Sequence, residues 1–280
     1  MKKILSLILA VLMISTLALA TASCSKQNTF IGVQSGTTGQ YYVDGDADWG
    51  FDGIANYTSK GYSTGGLAVA DMKNGNVKYV IIDEQPAKQL AKNMDVKVID
   101  IPLTEEEYGF GVDKNQPELL TAINEILAEM KTNGAMDAIV TAYATGEGIK
   151  PVASATLDTA KADKQLVVAT NAAFAPFEYK DGDKFAGIDV EIIVYIAEQL
   201  DMELVFMDME FDSVVASVGN NCIDVAMSGL TINEKRKEFV NFTEPYYNAA
   251  QVLIVPKNET AFDACKSADD VLAVLAEQVK

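Results

Sequence analysis

Two short segments decide how this chain folds, and each joins a strand-like run to polar or aromatic residues. They read Phe30-Ile-Gly-Val-Gln-Ser-Gly-Thr-Thr-Gly39 and Val168-Ala-Thr-Asn-Ala-Ala-Phe-Ala-Pro-Phe177. The apolar starts are typical of buried strands, and the side chains that follow are suited to contacting a ligand. Because ligands of open α/β sheets bind beyond the carboxyl ends of the strands, we predict that each segment supplies half of a small-molecule site.

Strands and helices alternate along the rest of the chain. Tyr79–Ile82 and Gln251–Val255 are apolar runs of strand length, and Pro117 opens a helix with apolar residues at i, i+3 and i+4 spacing. This alternation predicts an α/β fold with parallel or mixed sheets covered on both faces. Residues Thr145–Lys164 have no amphipathic pattern and are predicted to form a linker.

The start of the chain is typical of a secretory signal, with two lysines, an apolar run and small residues before Cys24. The segment Thr21-Ala-Ser-Cys24 is similar to a bacterial lipobox, although Thr21 stands where leucine is usual. We expect residues 1–23 to be a signal peptide, Cys24 to be lipidated, and residues 24–28 to form a tether on the outer face of a bacterial cell membrane. The alternatives are a membrane-spanning anchor or a plain secreted protein.

Charge and composition exclude several classes of function. The formal net charge is −18 and the chain has no histidine. An acidic surface repels nucleic acid, and the lack of histidine excludes His-based triads and His–zinc sites. Asp44, Asp46 and Asp48 alternate as in a calcium loop, but Trp49 stands where that loop requires glycine. We therefore expect a solvated acidic loop with Trp49 packed beneath it, and neither a metal nor a cofactor.

Several predicted strands are followed by groups suited to an amino acid. The hydroxyls and free N–H groups of Gly36-Thr-Thr-Gly39 suit a carboxylate at a helix start. Arg236 can form a bidentate pair with a carboxylate, and Asp83 can pair with an ammonium group. Taken singly, a helix cap or a solvated turn explains such residues equally well.

Taken together, these segments resemble the polar amino-acid binding proteins of ABC importers, the family 3 extracellular solute-binding proteins. One half of the resemblance lies in VVATNAAFAPFEYKDGDKFAGIDVEI, EFDSVVASVGNNCIDVAMSGLTINEKRKEFVNFTEPYY and QVLIVPK. The other half lies in IGVQSGTTGQ, VKYVIIDEQPA and LTEEEYGFGVDKNQPELLTAINEIL. The resemblance implies a two-lobed, periplasmic-binding-protein-like α/β fold with a two-strand hinge. It also implies a monomer that captures an amino acid between its lobes and delivers it to a membrane permease.

The resemblance also implies which residues hold the ligand backbone. By matching position, Arg236 holds the α-carboxylate, assisted by Thr231, Thr37 and Thr38. Asp83 holds the α-ammonium group.

Other matching positions surround the rest of the ligand. The Ser228–Gly229 backbone lies close to the ammonium group, and Phe174 and Phe211 sandwich the side chain. Asn171 and Gln34 face the end of that side chain. Relatives that prefer basic or amide ligands often carry aspartate where this chain has Asn171. A neutral asparagine weakens the case for lysine or arginine as the ligand. We therefore expect a neutral polar amino acid such as glutamine.

The order of the two halves is reversed relative to the family, which predicts a circular permutation. The alternative is a fragment of a tandem pair. On this interpretation the Arg236 half is continuous over residues 113–252, including the linker 145–164. The Asp83 half is split over residues 29–109 and 256–280, and the hinge crossings lie near Gly109–Val112 and Val252–Val255. Cys222 and Cys265 then belong to different lobes, so we expect free, mostly buried thiols.

Two other functions remain open on this sequence. A cyclohexadienyl-dehydratase-like enzyme on the same fold needs an acid or base in the cleft, for which Glu84 and Glu178 are candidates. A ligand-sensing lobe of a receptor is the second alternative.

Overall fold

The structure is a computed structural model that describes residues 29–220 and 222–279. The predicted signal segment, the lipidation site at Cys24 and the tether lie outside the described residues. The helices are α1 (Thr38–Asp44), α2 (Gly65–Lys73), α3 (Glu84–Met94), α4 (Pro117–Asn133), α5 (Ala135–Thr145), α6 (Ile188–Gln199), α7 (Phe211–Ser217), α8 (Glu234–Lys237) and α9 (Ala268–Glu277). Among the described residues, no helix combines the length and apolarity needed to cross a membrane.

The strands of the described chain form two five-stranded sheets, one three-stranded sheet and one two-stranded ribbon. They are β1 (Phe30–Gln34), β2 (Thr58–Tyr62), β3 (Tyr79–Asp83), β4 (Val96–Ile99), β5 (Glu106–Tyr108), β6 (Gly111–Asp113), β7 (Gln165–Thr170), β8 (Ala173–Phe174), β9 (Glu178–Asp181), β10 (Lys184–Ala186), β11 (Glu203–Asp208), β12 (Val225–Ala226), β13 (Val240–Phe242), β14 (Tyr247–Ala249) and β15 (Gln251–Pro256).

The first large sheet has the strand order β2-β1-β3-β15-β4. Strand β1 runs parallel to β2 and β3, whereas β15 is antiparallel to β3 and β4. Alternate residues of the central strands enter different cores, with Ile81 and Leu253 on one face and Ile82 and Val252 on the other. Burial of both faces explains why β3 and β15 are continuous apolar runs in the sequence. We call this unit, residues 29–105 and 251–279, the Asp83 lobe.

The second large sheet has the order β11-β7-β12-β6-β13. Strand β7 is parallel to both β11 and β12, and β6 is antiparallel to its neighbours β12 and β13. Every residue of β7 is buried. The three-stranded sheet β8–β10 and helices α4–α8 complete this unit, residues 111–245, which we call the Arg236 lobe. The predicted two-lobed α/β fold is confirmed.

The two lobes are joined by an antiparallel ribbon of β5 and β14, in which Tyr108 pairs with Tyr247. The predicted second crossing at Val252–Val255 lies inside β15, which belongs to the sheet of the Asp83 lobe. The boundary therefore falls earlier than expected. A strand that pairs on both sides within one sheet is not free to act as a hinge.

The predicted linker lies along the edge of the Arg236 lobe. Val152 and Phe185 exchange two backbone hydrogen bonds of 2.8 Å, and Ala155 donates to the Leu204 carbonyl at 2.9 Å. A short 3₁₀ helix forms at Thr159–Lys161. The segment is thus irregular, as the sequence indicated, but it is fastened to the lobe.

Both cysteines among the described residues are free, in agreement with the sequence. The expectation of burial is wrong for Cys222, which is exposed, while Cys265 is half-buried. Cys222 lies in a surface turn with a φ of 63°. Its side chain is therefore in contact with solvent and not part of the core.

One glycine is required by close backbone packing. Gly187 links β10 to α6 with a φ of 144°, and an added Cβ would lie 1.8 Å from the Phe177 carbonyl oxygen. Its N–H donates to the Tyr143 hydroxyl at 2.8 Å. Only a residue without a side chain fits this junction.

Replacing Gly187 by alanine is expected to lower the free energy of unfolding by about 3 kcal/mol or more, because the backbone must move to relieve the clash. Gly182→Ala is the matched control, since Gly182 also has a positive φ but an added Cβ meets nothing within 4 Å. That control should cost only about 1–2 kcal/mol. Urea unfolding of both variants measures the difference, and equal losses would contradict the clash.

Candidate functional site

Arg236 is the buried cation at the interface of the two lobes. Its backbone is held by Asn233, whose side-chain oxygen accepts from the Arg236 N–H at 2.8 Å. The guanidinium donates to the Thr231 carbonyl at 2.9 Å and, across the cleft, to the Gly36 carbonyl at 3.3 Å. Burial lowers the pKa of Arg236 to about 10, while the negative charges of Glu106 and Asp83 oppose that shift. The group is therefore charged at neutral pH.

Two aromatic rings flank this guanidinium. Its carbon lies 5.2 Å from the Trp49 ring and 5.3 Å from the Phe211 ring, within the range of cation–π attraction. Trp49 belongs to the Asp83 lobe and stacks on Tyr41 with a centroid separation of 4.3 Å. Phe211 was expected beside the ligand side chain, and the structure places it beside Arg236.

The acidic loop around Trp49 reaches the opposite lobe. Asp48 forms an exposed ion pair with Lys235 at 2.9 Å, next to the buried Arg236. Asp44 accepts from the N–H and hydroxyl of Ser59 at 2.8 and 2.6 Å. The loop was predicted to be solvated and to cover Trp49. Its outer residues are exposed, but Trp49 also contacts the other lobe.

Asp83 ends strand β3 and lies in the cleft with 6% of its surface exposed. The Tyr108 hydroxyl, from the hinge strand β5, donates a short hydrogen bond to its carboxylate. Burial raises the pKa of Asp83 to about 7, and the nearby negative charge of Glu106 acts in the same direction. A positive charge beside Asp83 would lower this pKa and keep the carboxylate ionised at neutral pH.

Glu106 connects both lobes through the hinge. Its carboxylate accepts from the Thr231 hydroxyl at 2.6 Å, the Thr104 hydroxyl at 2.6 Å and the Gln251 amide at 3.0 Å. The Thr38 hydroxyl in turn donates to the Thr231 hydroxyl at 3.1 Å. Thr38 and Thr231, both expected at the ligand carboxylate, thus lie in contact across the cleft. Glu106 was missed because it stands in an acidic run typical of an exposed segment.

Gln34 and Asn171, both expected at the end of the ligand side chain, lie in contact across the cleft. The Gln34 amide nitrogen donates to the Asn171 side-chain oxygen at 2.9 Å. The Asn171 amide nitrogen donates to the Met209 carbonyl at 2.7 Å. Both side chains are buried, so this contact belongs to the interior of the closed protein.

Ser228 and Gly229 are turned toward carboxyl groups of their own lobe. The Ser228 hydroxyl donates to Glu178 at 2.8 Å, and the Gly229 N–H donates to Asp189 at 3.0 Å. Both acids are fully buried. Burial raises the pKa of Asp189 to about 7 and that of Glu178 well above its usual range. These acids stabilise the turn that positions Ser228 and Gly229.

The remaining predicted residues line the same region less directly. The Thr37 hydroxyl donates to the Gln34 carbonyl at 2.8 Å. A Cβ on Gly229 would lie 2.9 Å from the Phe174 ring, and Phe174 stacks on Phe177 at 6.0 Å. Phe174 therefore packs on Phe177, whereas Phe211 lies beside the Arg236 guanidinium. Glu84, the other acid considered for catalysis, forms a short ion pair with Lys88.

The cleft is almost filled by side chains from the two lobes. A cavity of about 190 Å³ borders Arg236, Trp49 and Phe211. A larger surface groove, about 1010 Å³, lies between α5 and α6 on the Arg236 lobe. The buried charges surround the cleft and not this groove, so the cleft is the candidate site.

Part of the chain is similar in sequence to known proteins. Residues 166–279 match the bacterial extracellular solute-binding proteins, family 3. Over 103 residues the chain is 35% identical to the arginine-binding extracellular protein ArtP of Bacillus subtilis, covering 37% of this chain and 40% of that protein. Over 108 residues it is 32% identical to the L-arginine-binding protein of Pseudomonas aeruginosa, covering 38% and 42%.

A solved structure, the arginine-bound form of domain 1 from TmArgBP, is 33% identical, with a TM-score of 0.30, and covers 44% of this chain and 99% of that chain. Residues 166–279 belong to the family 3 extracellular solute-binding proteins. The chain spans about 40% of the length of the two curated relatives named above.

The raised pKa of Asp83 predicts how stability depends on pH. The unfolded chain releases this proton near pH 4, whereas the folded protein holds it up to about pH 7. The free energy of unfolding of the ligand-free protein is therefore expected to fall by a few kcal/mol between these values. Asp83→Asn should remove part of this fall in stability with pH. Asp189, whose pKa burial also raises to about 7, should account for another part.

Chemical denaturation at several pH values between 4 and 8 measures the effect. Asp183→Asn, in an exposed turn, is the control and should keep the dependence of the unaltered protein. A stability that rises from pH 4 to pH 7, or an Asp83→Asn profile identical to the control, would contradict the assignment.

Proposed function

We propose that this protein binds one free amino acid between its two lobes and performs no chemistry on it. The main support is the position of Arg236 and Asp83, which are both buried at the lobe interface and carry opposite charges. An α-carboxylate and an α-ammonium group are complementary to this pair. Burial strengthens both interactions because the local dielectric constant is low.

The ligand backbone would replace contacts that the lobes make with each other at the cleft. The α-carboxylate would accept from Arg236 and from the hydroxyls of Thr38 and Thr231, in place of the Gly36 carbonyl. The α-ammonium group would donate to Asp83. Because the donors and acceptors come from both lobes, ligand binding would favour the closed form.

We further propose the setting in which this binding takes place. The targeting pattern before residue 29 supports an extracytoplasmic lipoprotein anchored through Cys24. The named relatives are amino-acid binding proteins, one of them described as extracellular, which supports delivery of the ligand to a membrane permease of an ABC transporter. The uncharged amides of Gln34 and Asn171 support a neutral polar amino acid such as glutamine.

We also propose that the chain is a circular permutation of the family order. Lys78 supports this, because its N–H donates to the Phe30 carbonyl at 2.8 Å and its ammonium group donates to the Gln278 carbonyl at 2.7 Å. The start of β1 and the end of α9 therefore lie beside one residue. The family match also begins at residue 166, directly after the irregular segment.

Thermal-shift measurements with the twenty amino acids test the proposed function. A saturating ligand at about 100 times its Kd contributes about 2.7 kcal/mol, which raises the Tm by roughly 5–10 °C. Arg236→Ala and Asp83→Asn should each abolish the rise, because each removes the partner of one backbone charge. Lys237→Ala is the matched control and should retain the rise, since this lysine is exposed and pairs with Glu234 on its own helix. If no amino acid raises the Tm, the function is wrong.

A rearranged gene tests the permutation. Residues 146–279 are joined by a short flexible linker to residues 29–145, which restores the expected family order and keeps the irregular segment that contacts the Arg236 lobe. The product is expected to be a folded monomer with the same ligand response, because the joined ends lie close together. A chain opened inside α6 instead is the control and should not fold. An unfolded or domain-swapped product of the first rearrangement would refute the proposed layout.

A further inference from the structure

The acidic loop that follows α1, residues 44–53, is held by hydrogen bonds of its own. Asp46 and Phe51 pair across the loop as an antiparallel bridge. The Asp46 carboxylate accepts from the Asp48 N–H at 2.9 Å, and the Asp46 carbonyl accepts from the Trp49 N–H at 3.2 Å. These bonds hold the tip of the loop in one shape, and from it the Asp48 and Trp49 side chains both reach the other lobe.

This tip faces a basic helix of the Arg236 lobe. Helix α8 carries Lys235, Arg236 and Lys237 in succession, whereas the loop carries four aspartates. Asp48 pairs with Lys235 at 2.9 Å. The hydrogen bond from Lys235 to Asp48 and the charges of Asp48 and Asp46 raise the pKa of Lys235. The acidic composition of the loop is therefore complementary to the positive charge of α8.

The same tip covers Arg236. The guanidinium carbon lies 5.2 Å from the Trp49 ring and 5.3 Å from the Phe211 ring of its own lobe. Arg236 is 7% exposed, although its helix neighbours Lys235 and Lys237 are exposed. Trp49 is thus an aromatic part of this cover that the Asp83 lobe supplies. Its removal would admit water to the guanidinium and weaken the charge interactions made there.

We propose that residues 44–53 form a latch between the lobes, in which Asp48 and Trp49 are positioning residues that hold α8 and Arg236 against the Asp83 lobe and slow the release of a bound ligand. This inference rests on the proposed amino-acid binding function. Both residues act through their contacts with α8. Because these contacts form between the lobes and must break before the lobes separate, the latch governs the rate of release and leaves the rate of association unaltered.

Release of a radiolabelled amino acid into an excess of the unlabelled one tests the latch, with the amino acid that gives the largest rise in Tm. Trp49→Ala should raise the release rate constant about tenfold, and Trp49→Phe, which keeps an aromatic face, should restore most of the retention. Asp48→Asn should raise it about two- to fivefold. Asp52→Asn makes the same charge change at an exposed position of the loop and is the matched control, which should have no effect. The association rate constant should change less than about twofold in every variant.

Hydrogen exchange of the ligand-free protein tests the same contact without a ligand. Lys235→Gln lies in the Arg236 lobe and removes the partner of Asp48. The amide protons of residues 46–51, in the other lobe, should then exchange about two- to fivefold faster. Lys237→Gln, on the same helix, is the matched control and should leave their exchange unaltered, because Lys237 pairs with Glu234.

Two results would overturn the latch while amino-acid binding stands. One is equal exchange of the loop in Lys235→Gln and Lys237→Gln. The other is a Trp49→Ala or Asp48→Asn protein that releases its ligand at the unaltered rate, or whose affinity changes through association alone. If no amino acid binds, the proposed function fails and the role of the latch in ligand release fails with it.

Discussion

The burial of the Arg236 charge is the constraint on which the rest of the cleft depends. A guanidinium removed from water needs hydrogen-bond acceptors, negative charge or aromatic faces in return. This protein supplies all three, and it draws them from both lobes: the Gly36 carbonyl and Trp49 from one, the Thr231 carbonyl and Phe211 from the other. The contacts that compensate the buried Arg236 charge are therefore also contacts between the two lobes.

The hinge takes part in the same compensation. Glu106 and Tyr108 lie on the connecting strand β5, and they contact Thr231 and Asp83, which belong to opposite lobes. A hinge that carries polar contacts to both sides changes its hydrogen bonds whenever the lobes rotate. The connecting ribbon therefore contributes polar contacts as well as the covalent connection between the lobes.

Much of this organisation follows from local sequence patterns. Strands β3, β7 and β15 are apolar runs because both faces of their sheets are buried. Asn171, directly after β7, lies at the cleft, where it contacts Gln34 of the other lobe. The exposed edge strand β2 has no such run, so periodicity does not predict it. The burial of Glu106 depends on Thr231 and Gln251, which are 125 and 145 residues away. Such contacts exist only after the fold has formed.

Trp49 has a practical consequence for following these motions. It is the single tryptophan of the chain, and it lies where the acidic loop of one lobe meets the guanidinium of the other. The indole emission of this protein therefore comes from one place, at the interface of the two lobes. Separation of the lobes removes a positive charge from the face of the ring, so the protein carries an intrinsic optical reporter of its own closure.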